Sequence, residues 1–111
     1  MEIAEYQSII KKTAVYPKDL GIVYCALGLN GEAGEVAEKV KKLYRDSEGV
    51  ITPEFTEAVK KEIGDVIWYC TALASELGLT LEEILAANYE KLIKRRETNT
   101  LHGSGDNREN I

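Results

Sequence analysis

An all-α fold of four helices followed by a polar C-terminal tail is the expectation for this chain, and three observations carry it. Apolar residues recur at three- and four-residue spacing through most of the length. No stretch combines sustained apolar/polar alternation with β-branched enrichment, so no strand is expected. Two prolines and one phenylalanine in 111 residues suit helices better than sheets. The length accommodates one domain with a modest core, so residues 1–111 read as a single domain.

The first helix is expected from about Glu2 to Val15, with Ile3, Tyr6, Ile10 and Thr13 along one side, ending near Tyr16 and Pro17. The second opens around Pro17 and Lys18 and runs to about Arg45, where Asp46, Ser47 and Gly49 make a turn. Thr52 is an N-cap, with Pro53 at the first helical position and Glu54 favouring the positive helix end. The third helix then continues to Leu77, with Gly78 as a left-handed cap. Thr80 and Glu83 have the spacing of a capping box, and the fourth helix spans Leu81 to about Glu97. Residues 98–111, TNTLHGSGDNRENI, are polar, contain glycine and are weakly periodic, as expected of a loop or a mobile tail.

Composition excludes several roles. A formal charge of −5, from 14 Lys and Arg against 19 Asp and Glu, offers no general field for nucleic acid. No run is long and apolar enough for a membrane span, and the acidic start MEIAEYQSII lacks the pattern of a secretory signal, so a cytoplasmic location is expected. Cys25 and Cys70 both fall on apolar helical stripes and read as buried thiols in a reducing compartment.

The stretch GLNGEAGEVAEKVKK, residues 28–42, sets glycines at 28, 31 and 34 beside acids at 32, 35 and 38. Each glycine costs a helix interior about 1 kcal/mol relative to alanine, which suggests that a bare surface is needed there for close approach of a helix or a phosphate. On the second helix Cys25, Leu29, Ala33, Val36, Val40 and Leu43 form an apolar stripe, with Glu32 and Glu35 along one border. On the third, Glu62 and Asp65 border the stripe of Val59, Ile63, Val66, Cys70, Leu73 and Leu77 in the same way. An antiparallel hairpin of the two helices brings both acid pairs to one seam. Four carboxylates in such proximity repel, and divalent cations, Mg²⁺ or Mn²⁺, make the arrangement tolerable. The competing reading is a solvated acidic face paired with Lys39, Lys41, Lys42, Lys60 and Lys61, and Glu38 fits that reading better than a site. The single histidine, His102, lies in the tail, which leaves ferritin-like di-iron chemistry without its Glu-x-x-His ligands.

With Glu32-x-x-Glu35 and Glu62-x-x-Asp65 separated by 26 residues, and with NYEKLIKRR following, the chain resembles the MazG-like nucleoside triphosphate pyrophosphohydrolases of the all-α NTP pyrophosphatase superfamily. The resemblance covers most of the chain; one departure is Gly31, where some members carry a further glutamate. It implies Mg²⁺-dependent hydrolysis of a nucleoside triphosphate to monophosphate and pyrophosphate, a house-cleaning role in the nucleotide pool, and a bundle completed as a homodimer or homotetramer. Glu32, Glu35, Glu62 and Asp65 would hold the metal and carry the catalysis. Asn88, within the stripe of Leu81, Ile84, Leu85 and Leu92, is either a buried helix-pairing amide or, as the resemblance implies, a ligand for metal or phosphate. Lys91 and Arg95 follow on its side and offer a point charge and a fork for phosphate oxygens. Arg108 in the tail is a weaker candidate for closing over phosphates than for a surface terminus. Tyr24 and Tyr69 read equally as base-stacking or packing rings, and Trp68, pointing away from the intrachain stripe, suggests a subunit interface. A non-catalytic helical interaction module with a structural cation site is the alternative. The residues do not distinguish a dedicated dUTP or dCTP hydrolase from a general one.

Overall fold

Capping chemistry places the helix boundaries close to where the sequence puts them. The computed structural model describes residues 1–99 and 105, and its helices are α1 (Ile3–Thr13), α2 (Gly21–Ser47), α3 (Pro53–Glu76) and α4 (Leu81–Glu97), with a 3-10 turn at Lys18–Leu20 before α2. No strand occurs among the described residues. At the start of α1 the Glu2 N–H donates to the Glu5 carboxylate at 3.3 Å. The Thr52 hydroxyl accepts the Phe55 N–H at 3.1 Å, with Pro53 just inside the helix. Thr80 accepts the Glu83 N–H at 3.1 Å, while its own hydroxyl donates to the Glu83 carboxylate at 3.2 Å, so the expected box forms with a variant return bond. The turn between α2 and α3 passes through Glu48 and Gly49 at φ 52° and 79°, and Gly78 after α3 adopts φ 74°. Of the tail expected over 98–111, Thr98, Asn99 and Gly105 are described; His102 and Arg108 lie outside the described residues.

α2 and α3 form the expected antiparallel hairpin, and their packing dominates the fold. Gly21 meets Glu76, Gly28 meets Tyr69 and Lys39 meets Glu62, so partners climb one helix as they descend the other. A methyl group at Gly28 would overlap the Tyr69 ring, which gives this glycine its close approach. Gly31 and Gly34 face open space within the chain, so the reason proposed for all of them holds here only at Gly28.

The core lies where α1 crosses this hairpin. Ile10, Tyr16, Cys25 and Ala72 are buried together, with Tyr6, Trp68, Tyr69 and Leu73 packed against them. Trp68 is therefore an intrachain residue, contrary to the interface expected of it. Its Nε1 donates to Thr13 Oγ1 at 2.9 Å, and its ring stands edge-on to Tyr16 and Tyr69. α3 packs against α2 on one face and against α1 on a second. Tyr24 stacks on Tyr16 with centroids 5.1 Å apart, so these rings pack on one another. Cys25 is buried as expected, but Cys70 is exposed, and both thiols are free. α4 attaches through the Leu81 N–H, which donates to Gln7 Oε1 on α1 at 2.9 Å. Ile84, Leu85 and Leu92 on α4 remain exposed in the single chain, and so does Asn88 among them, which is not the buried helix-pairing amide of the first alternative.

Candidate metal centre

α2 presents Glu32 and α3 presents Glu62 and Asp65 across the seam of the hairpin. One carboxylate oxygen from each of these three lies within 4.8 Å of the others. Glu32 and Glu62 are half-buried and Asp65 is exposed, which leaves one side of the cluster open. Burial, then a carboxyl hydrogen bond with Glu62, then the charges of Asp65, Glu62 and Glu35 push the Glu32 carboxyl above its ordinary pKa. An acid that retains its proton in this way sits in a local excess of negative charge, and that excess is what a cation would relieve.

Glu35, one turn beyond Glu32, is exposed and stands outside the three-oxygen group, acting on Glu32 through its charge. Glu38 turns away and pairs with Lys41 at 3.0 Å and Lys42 at 3.7 Å, which hold its carboxyl below the usual range, as expected of a solvated face. Lys39 behaves differently. Its Nζ reaches across the seam to Glu62 Oε1 at 3.6 Å, so one ammonium faces the three-acid cluster. Two phenols border the cluster. Burial and then Asp65 push the Tyr6 pKa up, and burial, then Tyr24 and Glu32, do the same at Tyr69. The sequence marked Lys39 only as one of several partners for surface glutamates and gave Tyr6 no role at the site. Lys39 lies four residues after Glu35, one turn along the same helical side, and that spacing was its signal. Tyr6 had no such signal, because only tertiary contact brings α1 to Asp65.

On α4 the expected phosphate ligands occupy different settings. Asn88 is exposed beside Leu85, Tyr89 and Leu92, Lys91 is half-buried, and Arg95 is buried with its Nη2 donating to the Gly105 carbonyl at 3.0 Å. No helix of the described residues is long and apolar enough to cross a membrane.

The chain is an all-α protein whose helical hairpin gathers carboxylates from both arms at an open seam, a group that could hold a metal ion. The family follows from comparison. The model of the MazG nucleotide pyrophosphohydrolase domain matches residues 24–100, and the chain belongs to that family. The match takes in α2 from Tyr24 onward and all of α3 and α4, with α1 preceding it. The "Gene 37 protein" of Mycobacterium phage L5 is 42% identical over 114 residues, covering 97% of this chain and 100% of that protein. No solved structure matches the chain significantly.

Proposed function

We propose that the protein is a Mg²⁺-dependent nucleoside triphosphate pyrophosphohydrolase that releases pyrophosphate and a nucleoside monophosphate, cleaning the cytoplasmic nucleotide pool. The observation that carries this reading is the convergence of Glu32, Glu62 and Asp65 oxygens within 4.8 Å, in a chain of the MazG nucleotide pyrophosphohydrolase family. The donor set fits the ion. Three carboxylates opposed by one ammonium retain a negative excess, and hard oxygen donors suit Mg²⁺ or Mn²⁺.

Glu32, Glu62 and Asp65 would hold the metal, with Glu35 completing the acid set from its exposed position one turn along α2. A divalent cation bound there supplies Lewis acidity toward phosphate oxygens and toward the attacking water. One of the four acids would accept that water's proton. Asn88, Lys91 and Arg95 position the triphosphate, Arg95 through a planar fork matched to phosphate oxygens. A homodimer or homotetramer accounts for the uncovered Ile84, Leu85 and Leu92 of α4. Those same exposed residues favour the competing reading, a non-catalytic interaction module.

A panel of natural and modified nucleoside triphosphates, with pyrophosphate and orthophosphate read separately, decides between them. Pyrophosphate without stoichiometric orthophosphate, abolished by EDTA, is expected from at least one substrate. Glu62→Gln is expected to fold and to lower turnover by about a hundredfold or more, the scale of a lost charge-stabilising group. Absence of hydrolysis across the panel, or Glu62→Gln with undiminished activity, would overturn the assignment.

A further inference from the structure

Lys39 stands apart from the other lysines of the hairpin. Lys41 and Lys42 pair with Glu38 on their own helix, and Lys60 pairs with Glu57 on its own. Lys39 alone among the described ion pairs joins α2 to α3, and its partner Glu62 belongs to the three-carboxylate group. The pair is also the most sheltered of these. The side chains of Lys39 and Glu62 are 33% and 19% exposed, against 73% and 57% for Lys60 and Glu57, so solvent screens their attraction least.

We propose that Lys39 is the resident counter-ion of the acid cluster, an ammonium that occupies Glu62 until a divalent cation displaces it. The proposal rests on the metal centre argued above. Three acids at this separation are stabilised by nearby positive charge, and the Lys39 ammonium is the charge the chain itself brings there. A cation entering the cluster shares the Glu62 carboxylate with Lys39, and two positive charges a few ångströms apart repel. The displaced side chain has somewhere to go. Lys39 also lines a groove of about 260 Å³ at the closed end of the hairpin, with Lys42, Leu43, Asp46 and Phe55. Cation binding and release of the ammonium toward that groove are then one exchange, and the affinity of the centre is set by competition with its own lysine.

The test measures binding of Mn²⁺ alone to the nucleotide-free full chain by isothermal titration at fixed moderate ionic strength. Lys39→Met and Lys39→Gln remove the competitor, and both are expected to bind Mn²⁺ roughly tenfold more tightly than the wild type. Lys39→Arg retains the charge and is expected to stay near the wild-type affinity. Lys42→Met is the control for net charge, since it removes an equal charge paired to Glu38, and a change of less than about threefold is expected there. Melting in EDTA supplies a second readout: Lys39→Met should melt below the wild type, with saturating Mn²⁺ closing the gap. Affinities of Lys39→Met and Lys39→Gln equal to the wild type, or raised only as far as Lys42→Met, would overturn the counter-ion role and leave the metal centre standing. Failure of all the proteins to bind Mn²⁺ would overturn the metal centre, and this proposal with it.

Discussion

Glu32 retains its proton beyond the ordinary carboxylate range because burial and three neighbouring acids disfavour its charge. In the unfolded chain these neighbours disperse. The folded state therefore binds more protons between the ordinary glutamate pKa and the raised value, and stability falls as pH rises through that window. Glu32→Gln removes the charge at nearly constant shape. It is expected to raise the melting temperature of EDTA-treated protein at neutral pH, with the gain vanishing below the ordinary carboxylate range, as thermal melts across pH would show. Tyr16 titrates at the other extreme. Its hydroxyl donates to Glu76 Oε1 at 2.5 Å, and burial first, then Cys25 and Glu76, push its pKa above the ordinary value near 10. Above that ordinary value the unfolded chain ionises first, so stability present at neutral pH is lost as pH rises further. Tyr16→Phe is expected to cost about 1 kcal/mol at neutral pH through the lost hydrogen bond, and to show a shallower alkaline decline. Denaturant titrations at neutral pH and near pH 11 would measure both.

Along the helices, the glycines of α2 separate two effects that the sequence presented as one. Gly28 abuts the Tyr69 ring, so Gly28→Ala is expected to destabilise by about 1–3 kcal/mol through overpacking. Gly34 faces open space in the chain, so Gly34→Ala is expected to stabilise the isolated protomer by up to about 1 kcal/mol through helix propensity. Chemical denaturation of the two variants checks this opposition of sign. The pattern that made Gly28, Gly31 and Gly34 look alike is a property of one helix, whereas their surroundings belong to two. The same limit explains the rest of the comparison between sequence and structure. Helix existence, the Thr52 and Thr80 caps and the Gly78 terminator were legible because they depend on residues within a turn of one another. The meeting of Glu32 with Glu62 and Asp65 was legible because a short connection compels neighbouring helices to pair. Trp68 and Cys70 were misread because their burial depends on where α1 and α4 dock, and helical periodicity carries no information about that.

For the molecule as a whole, the radius of gyration is 17.1 Å, against about 13 Å for a compact chain of this length. Leu27, Tyr89, Leu85 and Leu92 are among the large apolar side chains left exposed. A second copy covering them is the expected remedy, and sedimentation equilibrium should give a mass of at least twice the 12.4 kDa protomer. Leu85→Asp and Leu92→Asp together should shift that mass toward the protomer if α4 lies in the interface. The hairpin has a further consequence, one of time. All three clustered acids come from a continuous span between residues 32 and 65, closed by the connection at 48–52. Closing this span costs less loop entropy than docking the N-terminal segment, whose bonds to α3 and α4 join residues 55, 60 and 74 positions apart. Carboxylates drawn together as the hairpin closes therefore repel within the folding barrier itself. For a cation-binding centre built this way, Mg²⁺ should accelerate refolding more than it slows unfolding, which would raise the folding arm of a chevron plot and leave the unfolding arm nearly in place.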